Sequence, residues 1–207
     1  MTKQKTNLTY YDFADNDRKW LEIAFERGDI ANYITSTTQN CCEKYFKFVI
    51  ESYLGAKTEE DEYNKKRILT THSLGKLVRE LHSSLDIEIP RDVYRNLVVI
   101  DGYYWSTRYP GDSSFFADEE SIEDCKVALC TCVLFINKII IELYLRSTQY
   151  IVEGMKCIDY KINESALEVI DRVSSGTVRV CGKDLPDLQN VPRSLLDTVT
   201  FYCTKDV

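Results

Sequence analysis

The sequence predicts an all-α protein: an up-and-down bundle of about five helices over residues 1–150, then a small irregular extension over 151–207 with room for a short strand pair. Three observations carry that expectation. Before Tyr150, apolar residues recur at steps of three and four, the spacing that gathers them on one face of a helix. Strand signals are scarce there, and Pro90 and Pro110 fall where helices should start or stop. Past Tyr150 the character changes, and Gly176-Thr-Val-Arg-Val-Cys-Gly182 reads as a short strand between turns.

Asp12 to Arg27 forms the first predicted helix, with Trp20, Ile23 and Ala24 on one stripe and Gly28 as its terminator. Asp29 is placed to cap the second, about Ile30 to Leu54, whose Ile30, Ile34, Cys41, Tyr45, Phe48 and Val49 make a broad apolar face. Glu43 and Lys47 stand four apart on that helix and read as a solvated ion pair. Gly55 to Lys66 is polar and non-periodic, which predicts an exposed loop.

Thr70 or Thr71 can cap a third helix with Leu74, Leu77, Leu81 and Leu85 as its stripe, while His72, Lys76 and Arg79 recur on another face. Pro90 opens a fourth helix that Pro110-Gly111 ends. Asp118-Glu119-Glu120-Ser121 then starts a fifth, running to Arg146 with an acidic start and a cationic end that match the helix dipole. Its run from Val127 to Leu145 is interrupted by Lys138 and Glu142, each costing about 2.5–3.5 kcal/mol near a bilayer centre, so it reads as a central, nearly all-round-buried bundle helix rather than a membrane span. In the extension, Glu164 to Val173 reads as a short helix with Asn163 available as its cap, and Leu185 to Pro192 reads as irregular chain.

The chain's 207 residues are 44% hydrophobic and 29% charged, ordinary for a globular protein. Its net charge of -7 disfavours diffuse attachment to nucleic acid or an anionic membrane, so any nucleic-acid contact must be local. Met1 to Asn7 lacks the apolar core of a signal peptide, which leads to the expectation of a cytoplasmic protein with its eight cysteines reduced. Cys41-Cys42 are adjacent, Cys130 and Cys132 diverge on a helix, and no Cys-x-x-Cys occurs, so no metal site and no cofactor is expected.

Three segments together resemble the HEPN family, the higher eukaryote and prokaryote nucleotide-binding domains. They are His72-Ser-Leu-Gly-Lys-Leu-Val-Arg-Glu-Leu81, Asp101-Gly-Tyr-Tyr-Trp-Ser-Thr-Arg-Tyr-Pro-Gly111, and Gln39-Asn-Cys-Cys-Glu-Lys-Tyr-Phe-Lys47, in which a Gln, a Glu and a Lys punctuate an apolar face. The similarity covers about Tyr11 to Gln149. It implies a helical up-and-down bundle, a homodimer, contact with a nucleotide or RNA, and a small nucleotidyltransferase as partner protein, as in toxin–antitoxin pairs.

Many members of that family are ribonucleases using an Arg, four to six intervening residues and a His on the helix corresponding here to the fourth. A His moves protons near neutral pH and an Arg holds phosphate, which suits cleavage through the 2′-hydroxyl. Here Arg95-Asn96 opens that pattern, but Ile100, Asp101 and Gly102 stand where the His is required. Arg67 and His72 satisfy the bare spacing on a different element. The catalytic candidates are therefore His72 with Arg67 or Arg95, for a metal-independent ribonuclease. His72 reads foremost as a structural residue, with a ligand contact as the next alternative.

Tyr103, Tyr104, Trp105, Arg108 and Tyr109 form an aromatic-basic cluster that can stack on bases and pair with phosphate, or pack a bundle end with wet polar tips. The candidate ligand-binding set is His72, Lys76, Arg95, Asn96, Tyr103, Arg108 and Tyr109. The favoured expectation is a non-catalytic nucleotide- or RNA-contacting module; the alternatives are the ribonuclease and a module that binds only proteins.

Overall fold

The computed structural model describes residues 8–152, 177–179 and 200–202. The chain divides after Ile136 into two compact units. Seven helices are described: α1 (Tyr10–Arg27), α2 (Asn32–Tyr53), α3 (Glu59–Leu69), α4 (Leu74–Leu85), α5 (Arg91–Val99), α6 (Tyr103–Ser106) and α7 (Glu119–Val152). The first unit is an all-α helical bundle built from α1 to α6 and the opening turns of α7. In the second, β1 (Thr177–Arg179) pairs in parallel with β2 (Thr200–Tyr202), Val178 opposite Phe201. The helix predicted over Glu164 to Val173 and the irregular chain of Leu185 to Pro192 lie outside the described residues.

The core is organised around α2, which packs against α1, α3, α4 and α6. Ile34, Cys41, Tyr45, Phe46, Val49 and Ile50 are fully buried on it. This role was expected of the fifth helix. Within the first unit α7 instead buries one face, Ile122, Cys125, Ala128, Leu129 and Cys132, and turns Val127, Cys130 and Leu134 outward.

A capping box starts α1: the Thr9 hydroxyl accepts from the Asp12 amide, and the Asp12 carboxylate accepts from the Thr9 amide at 2.7 Å. Gly28 closes the helix at φ 71°. Its buried face is Tyr11, Ala14, Leu21 and Ala24, with the Tyr11 ring edge-on to Tyr45 and Phe48 at 5.1 and 5.5 Å. The predicted stripe is corrected accordingly, since Trp20 and Ile23 face outward and small Ala14 lets Cys41 reach its carbonyl. Asp29 does not cap α2, whose Ala31 cap makes no side-chain bond. Asn32 is used differently there: its amide donates to the Thr107 carbonyl at 2.9 Å and accepts from the Ala117 amide at 2.7 Å.

The loop expected over Gly55 to Lys66 is largely α3. Thr58 and Asp61 form its capping box, acidic residues fill its first turn, and Lys66 and Arg67 its last. No α3 residue is buried, so no apolar stripe announces it. Lys65 ties it to α2 by donating to the Glu51 and Leu54 carbonyls. Thr70 closes α3, and Ser73, not Thr70 or Thr71, caps α4. His72 consequently sits in a short linker ahead of the helix.

The fourth predicted helix is broken in two. Pro90 caps α5, but the chain turns after Val99, and Gly102 at φ 117° launches the single turn of α6 well before Pro110. A Cβ at Gly102 would meet nothing within 4 Å, so only the backbone conformation demands glycine there. Gly102→Ala should therefore cost about 1–3 kcal/mol by conformational strain alone. Urea unfolding should show a lower midpoint at an unchanged slope; an unchanged midpoint would refute the assignment.

Candidate functional site

Gln39 and Glu43 stand one turn apart on α2, and both side chains are fully buried. The Gln39 Oε1 accepts from the amides of Gly102 (3.0 Å) and Tyr104 (2.7 Å). Its Nε2 donates to the His72 carbonyl (3.0 Å) and to Glu43 Oε1 (2.9 Å). Only this orientation of the amide satisfies all four bonds, because the reverse would set donors against donors. One side chain thus holds α2, the His72 linker and the start of α6 together.

The second oxygen of Glu43 meets His72 Nδ1 at 2.9 Å and Lys47 Nζ at 3.5 Å. Glu43 and Lys47, read from sequence as a solvated pair, are a buried one, 0% and 8% exposed at the side chain. Their correction has a physical cause: α2 is wrapped on nearly all sides, and a buried carboxylate requires several donors. A carboxylate oxygen against Nδ1 favours the ring proton there, which leaves Nε2 as the accepting atom of neutral His72.

Asp101 locks the other two segments that carry the resemblance. Its carboxylate accepts from the amides of Leu74 (2.9 Å) and Gly75 (3.0 Å) and from the Ser73 hydroxyl (3.1 Å), a negative charge on the positive end of α4. A Cβ at Gly75 would lie 3.2 Å from that carboxylate, which explains the glycine.

On this support lies an aromatic platform. The His72 ring stacks on Tyr104 at 4.6 Å with planes 1° apart, and Trp105 meets His72 edge-on at 5.9 Å. The Arg108 guanidinium lies over the Tyr104 ring at 4.8 Å and near Tyr109 at 6.0 Å. Trp105 and Tyr109 are half exposed, and 38% of the His72 side chain is accessible. The surface therefore presents half-exposed Trp105 and Tyr109 rings and an exposed guanidinium to solvent, residue types that can take bases and phosphate.

The structure unites only part of the candidate ligand-binding set. His72, Arg108 and Tyr109 come together, joined by Tyr104 and Trp105. Tyr103 turns away, its hydroxyl donating to Asp124 at 3.1 Å and its ring against Phe115, and burial with the Asp124 charge raises its pKa. Asn96 donates to the Thr131 hydroxyl of α7 at 3.1 Å, and Arg95 is exposed on α5. Lys76 and Arg67 line a separate groove between α3 and α4. Among the described residues, no hydrogen bond or ion pair links Arg67 or Arg95 to His72. Nor does any group of three or more His, Cys, Asp or Glu side chains there converge as metal ligands. Sequence reasoning overlooked the bonding of Gln39 and Asp101; for Gln39 the available signal was the recurrence of Gln39, Glu43 and Lys47 at four-residue steps among the apolar residues Cys41, Cys42, Tyr45, Phe46 and Phe48.

Gln39→Ala should cost about 2–4 kcal/mol, because it strands two part-buried amides and a part-buried carbonyl and leaves Glu43 without one of its donors. Urea unfolding followed by Trp fluorescence should register the loss; a cost below about 1 kcal/mol would show that these groups find other partners.

A family model described as the HEPN domain matches residues 9–141. No curated protein and no solved structure shows significant similarity to this sequence. The match spans α1 through most of α7, including the buried Gln39–Glu43 pair, the His72 linker and the aromatic platform, and the chain belongs to the HEPN domain family.

Proposed function

We propose that this HEPN chain is a non-catalytic module that contacts a nucleotide or single-stranded RNA through the His72–Tyr104–Trp105–Arg108–Tyr109 surface. The face-to-face His72–Tyr104 stack carries this reading, since buried Gln39 and Glu43 hold it from beneath while accessible rings and Arg108 flank it. Rings held in place lose little freedom on stacking with a base, worth about 1–3 kcal/mol per base. Absence of a His after Arg95 argues against the family's nuclease chemistry.

Fluorescence titration with labelled oligouridine and with AMP tests the surface. Trp105→Ala and Arg108→Ala should each weaken binding by roughly fivefold to a hundredfold. Unchanged affinity in both folded variants would remove the platform from consideration. The Glu43–His72 bond at 2.9 Å favours one second reading, a metal-independent ribonuclease with His72 as acid or base. RNA cleavage in EDTA that disappears in His72→Ala would establish that reading instead.

The family resemblance also supports a homodimer and a nucleotidyltransferase as partner protein. Outward apolar residues, Tyr94 and Val98 on α5 and Val127 and Leu134 on α7, are consistent with an interface. Light scattering at micromolar concentration should give twice the chain mass of 24.0 kDa; a monomer alone would exclude the dimer.

A further inference from the structure

Between α3 and α4 runs a groove of about 540 Å³, lined by Arg67 and Thr71 on one side and Lys76, Arg79, Glu80 and Ser83 on the other. That size lies within the range of about 300–1,000 Å³ typical of small-molecule sites. Three of its residues are cations and one is a carboxylate, in a chain whose net charge is -7. Elsewhere in the first unit, Arg18, Lys19, Lys44, Lys47, Lys66 and Lys126 each pair with a carboxylate, while other unpaired cations such as Lys57, Arg91 and Arg95 line none of the three grooves described there with a second cation. Among the described residues, Arg67, Lys76 and Arg79 pair with none. Glu80, the groove's one acid, accepts from the Ser84 hydroxyl at 2.6 Å.

We propose that the α3–α4 groove is a binding site for a chain of consecutive phosphates, held by Arg67, Lys76 and Arg79. Two exposed guanidinium groups supply planar, two-pronged recognition of phosphate oxygens, and the ammonium supplies a third positive charge. Thr71 adds a hydroxyl that can donate to a remaining oxygen, whereas the Ser83 hydroxyl donates to the Glu80 carbonyl at 3.4 Å. Three cations from two helices match several charges in a row better than one, which selects a di- or triphosphate over orthophosphate. The site is separate from the aromatic platform and its occupancy needs no base contact. A nucleoside triphosphate and an inorganic phosphate chain share the recognised chemistry.

Isothermal titration of the full chain with sodium tripolyphosphate, orthophosphate and ATP tests the site. Tripolyphosphate should bind, orthophosphate at least tenfold more weakly, and the affinity should fall as salt rises. Arg67→Ala with Arg79→Ala should abolish the signal, and Lys76→Gln alone should weaken it roughly fivefold. Arg91→Ala, which removes an exposed cation of α5, should leave it unchanged. ATP binding more tightly than tripolyphosphate identifies a nucleotide as the source, equal affinity an inorganic chain, and either ranking supports the site. No tripolyphosphate binding, or binding that survives both groove variants with their helical circular dichroism intact, would overturn it. Because tripolyphosphate carries no base, a negative result here leaves the aromatic platform standing, and the converse also holds.

Discussion

Four hydrogen bonds to one buried amide, that of Gln39, determine where the exposed chemistry of this protein lies. The groups it satisfies belong to segments far apart in the chain: the His72 carbonyl, the amides that open α6, and Glu43 on its own helix. A buried amide oxygen and nitrogen left unpaired are costly, so each of those segments is obliged to approach α2 at one position. Glu43 then repeats the device one turn later, and its carboxylate fixes the ring of the residue whose backbone Gln39 already holds.

Asp101 supplies the complementary constraint from above. It joins the turn before α6 to the first amides of α4, so the linker carrying His72 is pinned on both sides, by Gln39 at its carbonyl and by Asp101 just after it. The His72 ring meets Tyr104 face to face because both backbones are held by the same glutamine. Pre-organisation of this kind places the freedom lost by the rings in the folding step rather than in an encounter with a ligand.

Much of the fold was legible from periodicity, and the failures have specific causes. Leu74, Leu77 and Leu81 of the expected stripe are buried, Leu85 only partly, and the Pro90 start is close to the structure, because each reports a local rule of burial or backbone geometry. Helix α3 escaped notice because it buries nothing, so its only sequence signature is the Thr58–Asp61 cap and its charge order. The split at Gly102 was hidden because a turn there is stabilised by Gln39, sixty-three positions earlier. Likewise, Glu43 and Lys47 look like any surface pair until the elements surrounding α2 are known. His72 and Arg108 could be nominated from residue type, whereas the stacking that brings them to one surface depends on tertiary bonds that no local pattern encodes.

Helix α3 has a thermodynamic character of its own. With no buried residue, it is retained by its cap, by Lys65 on two carbonyls of α2 and by its charge order, all partly or fully exposed to water. Its local opening is therefore much less costly than opening of the core, so it forms a subglobal unit that exchanges its amides ahead of α2. An anion bridging Arg67 to Arg79 would join this weakly held unit to α4, and the ordering of one wall becomes part of the binding equilibrium.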